Sequence, residues 1–224
     1  MSRISRGSLG SRNSRARAIA AGWTLAAALS ASLAGCSKTE ASGKTEASEA
    51  PPVYAEVAPF ELVERSGKPV HREDLLGRPW VASFLFTRCT GPCPRVAGTL
   101  RALQARLRDK GDGGPRIVTI SVDPTFDTPE VLKRYADDLG ADSAGWWFLT
   151  GDETAVRKLI RESFLSPVER APEGSAPPGE AVSHRTQLAA VDPKGRVRGF
   201  FAGESEEDLD RLVALLDLLA REPR

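Results

Sequence analysis

Trp80-Val81-Ala82-Ser83-Phe84-Leu85-Phe86 runs directly into Thr87-Arg88-Cys89-Thr90-Gly91-Pro92-Cys93-Pro94. The first part is an almost unbroken apolar run, the pattern of a strand buried on both faces in a central parallel sheet. Pro94 suits the first turn of a helix. Val96, Leu100, Leu103 and Leu107 then recur at helical spacing until residues 111–115 stop it. Two cysteines four positions apart therefore sit between a strand and a helix N-terminus. Such a terminus favours negative charge, and so thiolate over thiol.

Outward from this stretch, strands and helices alternate. Phe60-Glu61-Leu62-Val63 and Pro69-Val70, on either side of Ser66-Gly67-Lys68, read as a short hairpin. Residues 117–122 form the next strand, and Thr128-Pro129-Glu130 caps and opens a helix that Gly140 ends. Trp147-Phe148-Leu149 is a short strand, and Asp152 caps a helix carrying Val156, Leu159, Ile160 and Phe164. Residues 166–180 are rich in proline and glycine and read as a loop. Residues 186–191 and 196–201 flank Asp192-Pro193-Lys194-Gly195 as an antiparallel hairpin. Ser205-Glu206-Glu207-Asp208 reads as a capping box before a last helix with Leu209, Leu212, Leu215 and Leu216 on one face. This order predicts an α/β fold, a thioredoxin-like mixed sheet flanked by helices.

The N-terminus reads as an address label. Arg3, Arg6, Arg12, Arg15 and Arg17 precede an alanine-rich apolar stretch, residues 19–33, ending in Leu33-Ala34-Gly35-Cys36. That is a secretory signal, and its end resembles the lipobox of bacterial lipoproteins, which implies lipidation of Cys36. The alternative is a single uncleaved N-terminal transmembrane anchor. Residues 37–52 hold a direct repeat, Lys38-Thr39-Glu40-Ala41-Ser42 and Lys44-Thr45-Glu46-Ala47-Ser48, and nothing large and apolar to bury, as expected of a disordered linker. The expected organisation is a signal peptide (1–35), a lipidated Cys36 with its linker (36–55) and one folded domain (56–222).

Cleavage removes five arginines and no acid, so the formal charge falls from +1 to −4. No basic stripe remains to suggest nucleic acid as a partner. Of three cysteines, Cys36 goes to the anchor and one pair stays with the domain. A disulfide closing so short a loop stabilises little by chain entropy, which points to redox or metal chemistry.

Cys89-x-x-x-Cys93 is wider than the thioredoxin Cys-x-x-Cys and lets both sulfurs face one metal. Only His71 and His184 are available as partners. His71 lies beside Arg72 and Glu73 and reads as a solvated loop residue. His184 stands just before a buried strand, where thioredoxin-like oxidoreductases place a cis-proline facing the cysteines. No proline lies between Gly179 and Pro193. By itself His184 reads equally as a ligand or as an exposed loop residue. Two thiolates and an imidazole suit copper, especially Cu(I).

These segments together resemble the SCO/SenC family, from about Phe60 to the C-terminus. The resemblance rests on Gly67-Lys68, on Gly77-Arg78-Pro79-Trp80 and on Phe86-Thr87-x-Cys89-x-x-x-Cys93-Pro94. It rests also on Ser121-Val122-Asp123-Pro124-x-x-Asp127-Thr128-Pro129-Glu130-Val131-Leu132, on Leu149-Thr150-Gly151, and on His184 before Asp192-Pro193-x-Gly195. It implies a membrane-tethered periplasmic domain that binds copper, as Cu(I) or Cu(II), through Cys89, Cys93 and His184. The implied role is assembly of the CuA site of cytochrome c oxidase, with oxidase subunit II or another copper protein as partner. Asp123 and Asp127 belong to the family's second signature; they could steer the site electrostatically, but turn and capping roles are expected of them.

The alternative activity is thiol–disulfide exchange, with Cys89 and Cys93 as the redox pair, thiol–disulfide reductants as partners and His184 dispensable. Gly91-Pro92-Cys93 echoes the thioredoxin Gly-Pro-Cys and favours that alternative. A peroxiredoxin would need proline and threonine where Ala82 and Phe86 stand.

Overall fold

The apolar run folds as a strand, Trp80–Leu85, whose six residues are all buried. The computed structural model describes residues 50–111 and 113–222. In chain order the strands and helices are β1 (Ala55–Glu56), β2 (Glu61–Glu64), β3 (Pro69–His71), β4 (Trp80–Leu85), α1 (Cys93–Leu107), β5 (Arg116–Ser121), α2 (Pro129–Leu139), β6 (Trp146–Thr150), α3 (Glu153–Phe164), β7 (Glu169–Arg170), β8 (Val182–Ser183), β9 (Gln187–Val191), β10 (Arg196–Ala202) and α4 (Glu206–Leu219). The leader 1–35, Cys36 and the linker to residue 49 lie outside the described residues. No helix among the described residues is long and apolar enough to cross a membrane.

Eight strands form one mixed sheet, in the order β1-β10-β9-β4-β5-β6-β2-β3. β4, β5 and β6 run parallel. β9 joins β4 antiparallel and β2 joins β6 antiparallel, so the sheet is the thioredoxin-like mixed sheet expected. Alternation along β4 divides its side chains between two faces. On one face Phe164 of α3 packs edge-on or tilted against Trp80 and Phe84. On the other, Ser83 meets Thr119 at 2.8 Å, and the Trp146 indole N–H donates to Thr119 Oγ1 at 2.8 Å. This second face is covered by α1, α2 and α4. Gln104 of α1 donates to Gly140 O at the end of α2, Tyr135 of α2 stacks edge-on with Phe148, and three ion pairs join α1 and the residues after it to α4 and the loop before it.

Local signals hold where they were read. Thr128 accepts from Val131 N, Asp152 accepts from Ala155 N, and Gly140 ends α2 in the left-handed region (φ 66°) that a side chain resists. The box expected at Ser205 is only half made. Its hydroxyl accepts from Asp208 N, but the Asp208 carboxylate accepts from Ala202 N at 2.8 Å, tying α4 to β10 instead of closing the cap.

Two elements differ from the expected order. The chain is held before residue 56: Tyr54 N donates to Val197 O, the buried Arg198 guanidinium donates to Pro51 and Pro52 carbonyls, and β1 pairs with β10. Residues 166–180 are not a plain loop either. Glu169 and Arg170 pair antiparallel with Ser183 and Val182, and Ala171 N donates to Ala181 O at 2.9 Å, so a two-stranded ribbon leads into His184.

Thr119 is the acceptor that satisfies the Trp146 indole inside the core. Thr119→Val keeps the volume but orphans that N–H and the Ser83 hydroxyl, and is expected to cost ~1–3 kcal/mol, read as a lowered urea midpoint with an unchanged slope.

Candidate functional site

β4 ends at Leu85, and Phe86 begins the turn that carries the thiols, its carbonyl accepting from Cys89 N at 3.3 Å. Cys93 is the first residue of α1, with Pro92 as N-cap and no side-chain cap or acidic residue in the first turn. Both thiols are free; Cys89 is partly exposed and Cys93 buried. Cys89 is the thiol neighbour that acts on Cys93. The Cys93 Sγ lies 3.9 Å from His184 Nε2.

His184 is oriented from behind. Its Nδ1 lies 3.0 Å from Arg185 O. A carbonyl oxygen only accepts, so Nδ1 carries the proton and the Nε2 lone pair faces Cys93. The ring also stands edge-on to Phe86, centroids 6.1 Å apart. Burial holds the imidazole pKa below its ordinary value, which keeps it neutral and able to donate that lone pair.

The expected preference for thiolate does not hold at Cys93. Burial, then the hydrogen bond and like charge of Cys89, push its thiol up to about 12. The helix terminus is present but outweighed.

The structure thus brings together Cys89, Cys93 and His184 as a string, thiol to thiol to imidazole. Among the described residues, no group of three or more His, Cys, Asp or Glu side chains is already gathered as a metal-ion site. His71 is exposed on β3, opposite Glu61, and takes no part.

Asp123 and Asp127 follow β5 and have no exposed surface. Neither caps a helix, contrary to the expectation; Thr128 does that. Asp127 accepts from Thr87 N at 3.1 Å, from the Thr87 hydroxyl at 2.5 Å and from the Ser121 hydroxyl at 2.5 Å, which pins the residue two before Cys89. Burial raises its pKa in spite of these bonds. Asp123 pairs with Arg88 and Arg170, each at 2.6 Å. Burial works against its ionisation, but the two guanidinium hydrogen bonds prevail and hold its pKa low. Arg88 also lies 4.0 Å over the ring of the exposed Phe126.

Sequence reasoning missed Arg88, Arg170 and Gly179. Arg88 lay inside the thiol motif, where its place beside Cys89 was the only signal. Gly179 sits against the thiol loop: Thr90 N donates to Gly179 O at 3.4 Å, and a Cβ on Gly179 would stand 2.7 Å from the Thr90 side chain and 2.8 Å from Arg88 O.

Gly179→Ala is therefore expected to lift the ribbon from the thiol loop. Cys93 should then be alkylated several-fold faster by iodoacetamide, counted by mass spectrometry, while Cys89 changes less. The lowered His184 pKa sets a second expectation. The unfolded chain takes up that proton first, so this stability is complete above about pH 6.5 and is lost as pH falls through the lowered value. Urea midpoints should drop in that window, and His184→Gln should remove this part of the drop.

The description SCO1/SenC matches this chain over residues 48–217. A Stutzerimonas stutzeri protein named for copper binding is 34% identical over 140 residues, 62% of this chain and 66% of that one. The solved structure of a SCO1/SenC family lipoprotein from Bacillus anthracis is 28% identical, with TM-score 0.67, over 75% of this chain and 96% of that one. That of BsSco is 30% identical, with TM-score 0.67, over 78% and 98%. BsSco is described as a member of the Sco family of cytochrome c oxidase assembly proteins, with a disulfide switch. The matched span takes in the thiol loop, the Asp123 turn and the His184 ribbon together, and on that ground the chain belongs to the SCO1/SenC family.

Proposed function

We propose that this chain is a copper metallochaperone, tethered to a membrane through Cys36 on its periplasmic face, which supplies copper to the CuA site of cytochrome c oxidase. One observation carries the reading: His184 Nε2, its lone pair freed by the Nδ1–H bond to Arg185 O, faces Cys93 Sγ at 3.9 Å. Two sulfurs and one imidazole nitrogen are a soft donor set suited to Cu(I). Relatives named for copper binding and for oxidase assembly support it, and a lipoprotein relative supports the tether.

Copper is the cargo. Cys89 and Cys93 each give up a proton as they bind it, and the neutral His184 adds its lone pair without losing one. Release to a partner proceeds by exchange of sulfur ligands, with the partly exposed Cys89 the first to meet the partner's thiols.

The same exposure favours a second reading, thiol–disulfide exchange. Cys89 thiolate attacks a partner disulfide and forms a mixed disulfide, expelling one partner sulfur as thiolate. Cys93 then loses its proton and its sulfur displaces the second. The partner disulfide leaves as two thiols and Cys89–Cys93 becomes a disulfide, which an external dithiol must reduce. The described switch in BsSco is in keeping with this.

Copper titration of the reduced chain separates the two. Cys89→Ser or Cys93→Ser is expected to abolish binding. His184→Ala should weaken it on the order of tenfold or more, at least ~1.4 kcal/mol, and remove nitrogen coupling from the Cu(II) EPR spectrum. On the exchange reading, His184→Ala leaves both disulfide reduction and the metal spectrum unchanged.

A further inference from the structure

We propose that Arg170 is the positioning residue that seats His184 against the thiols, acting through the Asp123 carboxylate that it shares with Arg88. The inference rests on the reading that His184 works with Cys89 and Cys93.

His184 hangs from the β7–β8 ribbon, and Arg170 is paired with Val182, two residues before it. From the ribbon, Arg170 reaches the body at two carboxylates. Its Nη2 meets Asp123 Oδ1 at 2.6 Å, and its Nε meets Glu153 Oε1, in the first turn of α3, at 2.8 Å. The other oxygen of Asp123 meets Arg88 Nη2 at 2.6 Å, and Arg88 precedes Cys89. One fully buried carboxylate therefore ties the residue beside the first thiol to the strand beside the imidazole.

Other ties of the ribbon to this region are lighter, among them the 3.4 Å Thr90 N to Gly179 O bond, the edge contact of His184 with Phe86, and the buried Val182 side chain. Arg170 is suited to the task because its planar fork holds two acceptors at fixed positions, which the flexible point charge of a lysine does less firmly. Asp123 will not release it cheaply, since a buried carboxylate deprived of a partner is strongly destabilised.

The test uses the full chain, detergent-solubilised and reduced, with histidine labelled in nitrogen-15. With only two histidines, the exposed His71 serves as internal reference. In Arg170→Gln the His184 ring resonances should move away from their wild-type positions while those of His71 stay. Cu(II) affinity should fall ~10–100-fold, as when a residue orienting a ligand is lost, and Arg170→Lys should recover part of both. Ring resonances and copper affinity that stay at wild-type values would overturn the proposal. So would a lowered melting temperature with the ring signals unmoved, which marks a merely structural role. If the wild type takes no copper but Arg170→Gln still shifts His184, the copper reading falls and the positioning role stands. Should Arg170→Gln fail to fold, Arg170→Lys carries the comparison, and unmoved ring signals in it overturn the proposal.

Discussion

A carboxylate with no exposed surface stays ionised only if cations or donors surround it, and that constraint organises the functional end of this protein. Asp123 meets it with Arg88, from the loop after β4, and Arg170, from the β7–β8 ribbon. Asp127, four residues on and equally buried, is met only by hydroxyls and an amide. Their pKa values move in opposite directions accordingly. Two adjacent buried negative charges would repel; the turn keeps a firm charge at Asp123 and a weakly held one at Asp127. The charge sits where it fastens the thiol loop to the ribbon, and the hydroxyl bonds sit where they fasten the strand end.

Burial acts on the second pair, Cys93 and His184, with one result. It keeps the proton on the thiol and off the imidazole, so neither group is charged and an S–H faces a lone pair. The helix terminus behind Cys93 contributes ~0.3–1 kcal/mol, less than one pKa unit at ~1.4 kcal/mol, and cannot offset a rise from 9.0 to about 12. On the copper reading Cys93 gives up its proton to the metal, which makes loading dependent on pH as well as on reduction.

What could be read from the chain divides by the range of the interaction involved. β4, α1 and the caps at Thr128, Asp152 and Gly140 are local events, decided by apolar spacing and by hydroxyl, carboxylate or glycine at one position. The thiols and His184 were legible because cysteine and histidine are few. Arg170 was not, because its role lies in a carboxylate 47 residues away. The ribbon was not, because strands of two residues leave no period to detect and their proline- and glycine-rich connection reads as a loop. The thiolate expectation at Cys93 failed for the same reason: the helix terminus is written in the neighbouring residues, whereas the burial that outweighs it comes from the whole fold.

The layout of exposure narrows how the site works, whichever cargo it handles. Cys89 is the partly exposed sulfur and Cys93 the buried one, with His184 behind it. A partner's sulfur must therefore meet Cys89 first, in copper exchange and in disulfide exchange alike. The two readings part only at the second step. For copper, Cys93 and His184, 3.9 Å apart, must both let go before the metal leaves. For disulfide exchange, Cys93 alone must shed its proton and turn on the mixed disulfide, and His184 can stay in place throughout. The imidazole thus has work only in the first case, as ligand. Its removal therefore separates the two, since it strips a ligand from a copper site and leaves disulfide exchange intact.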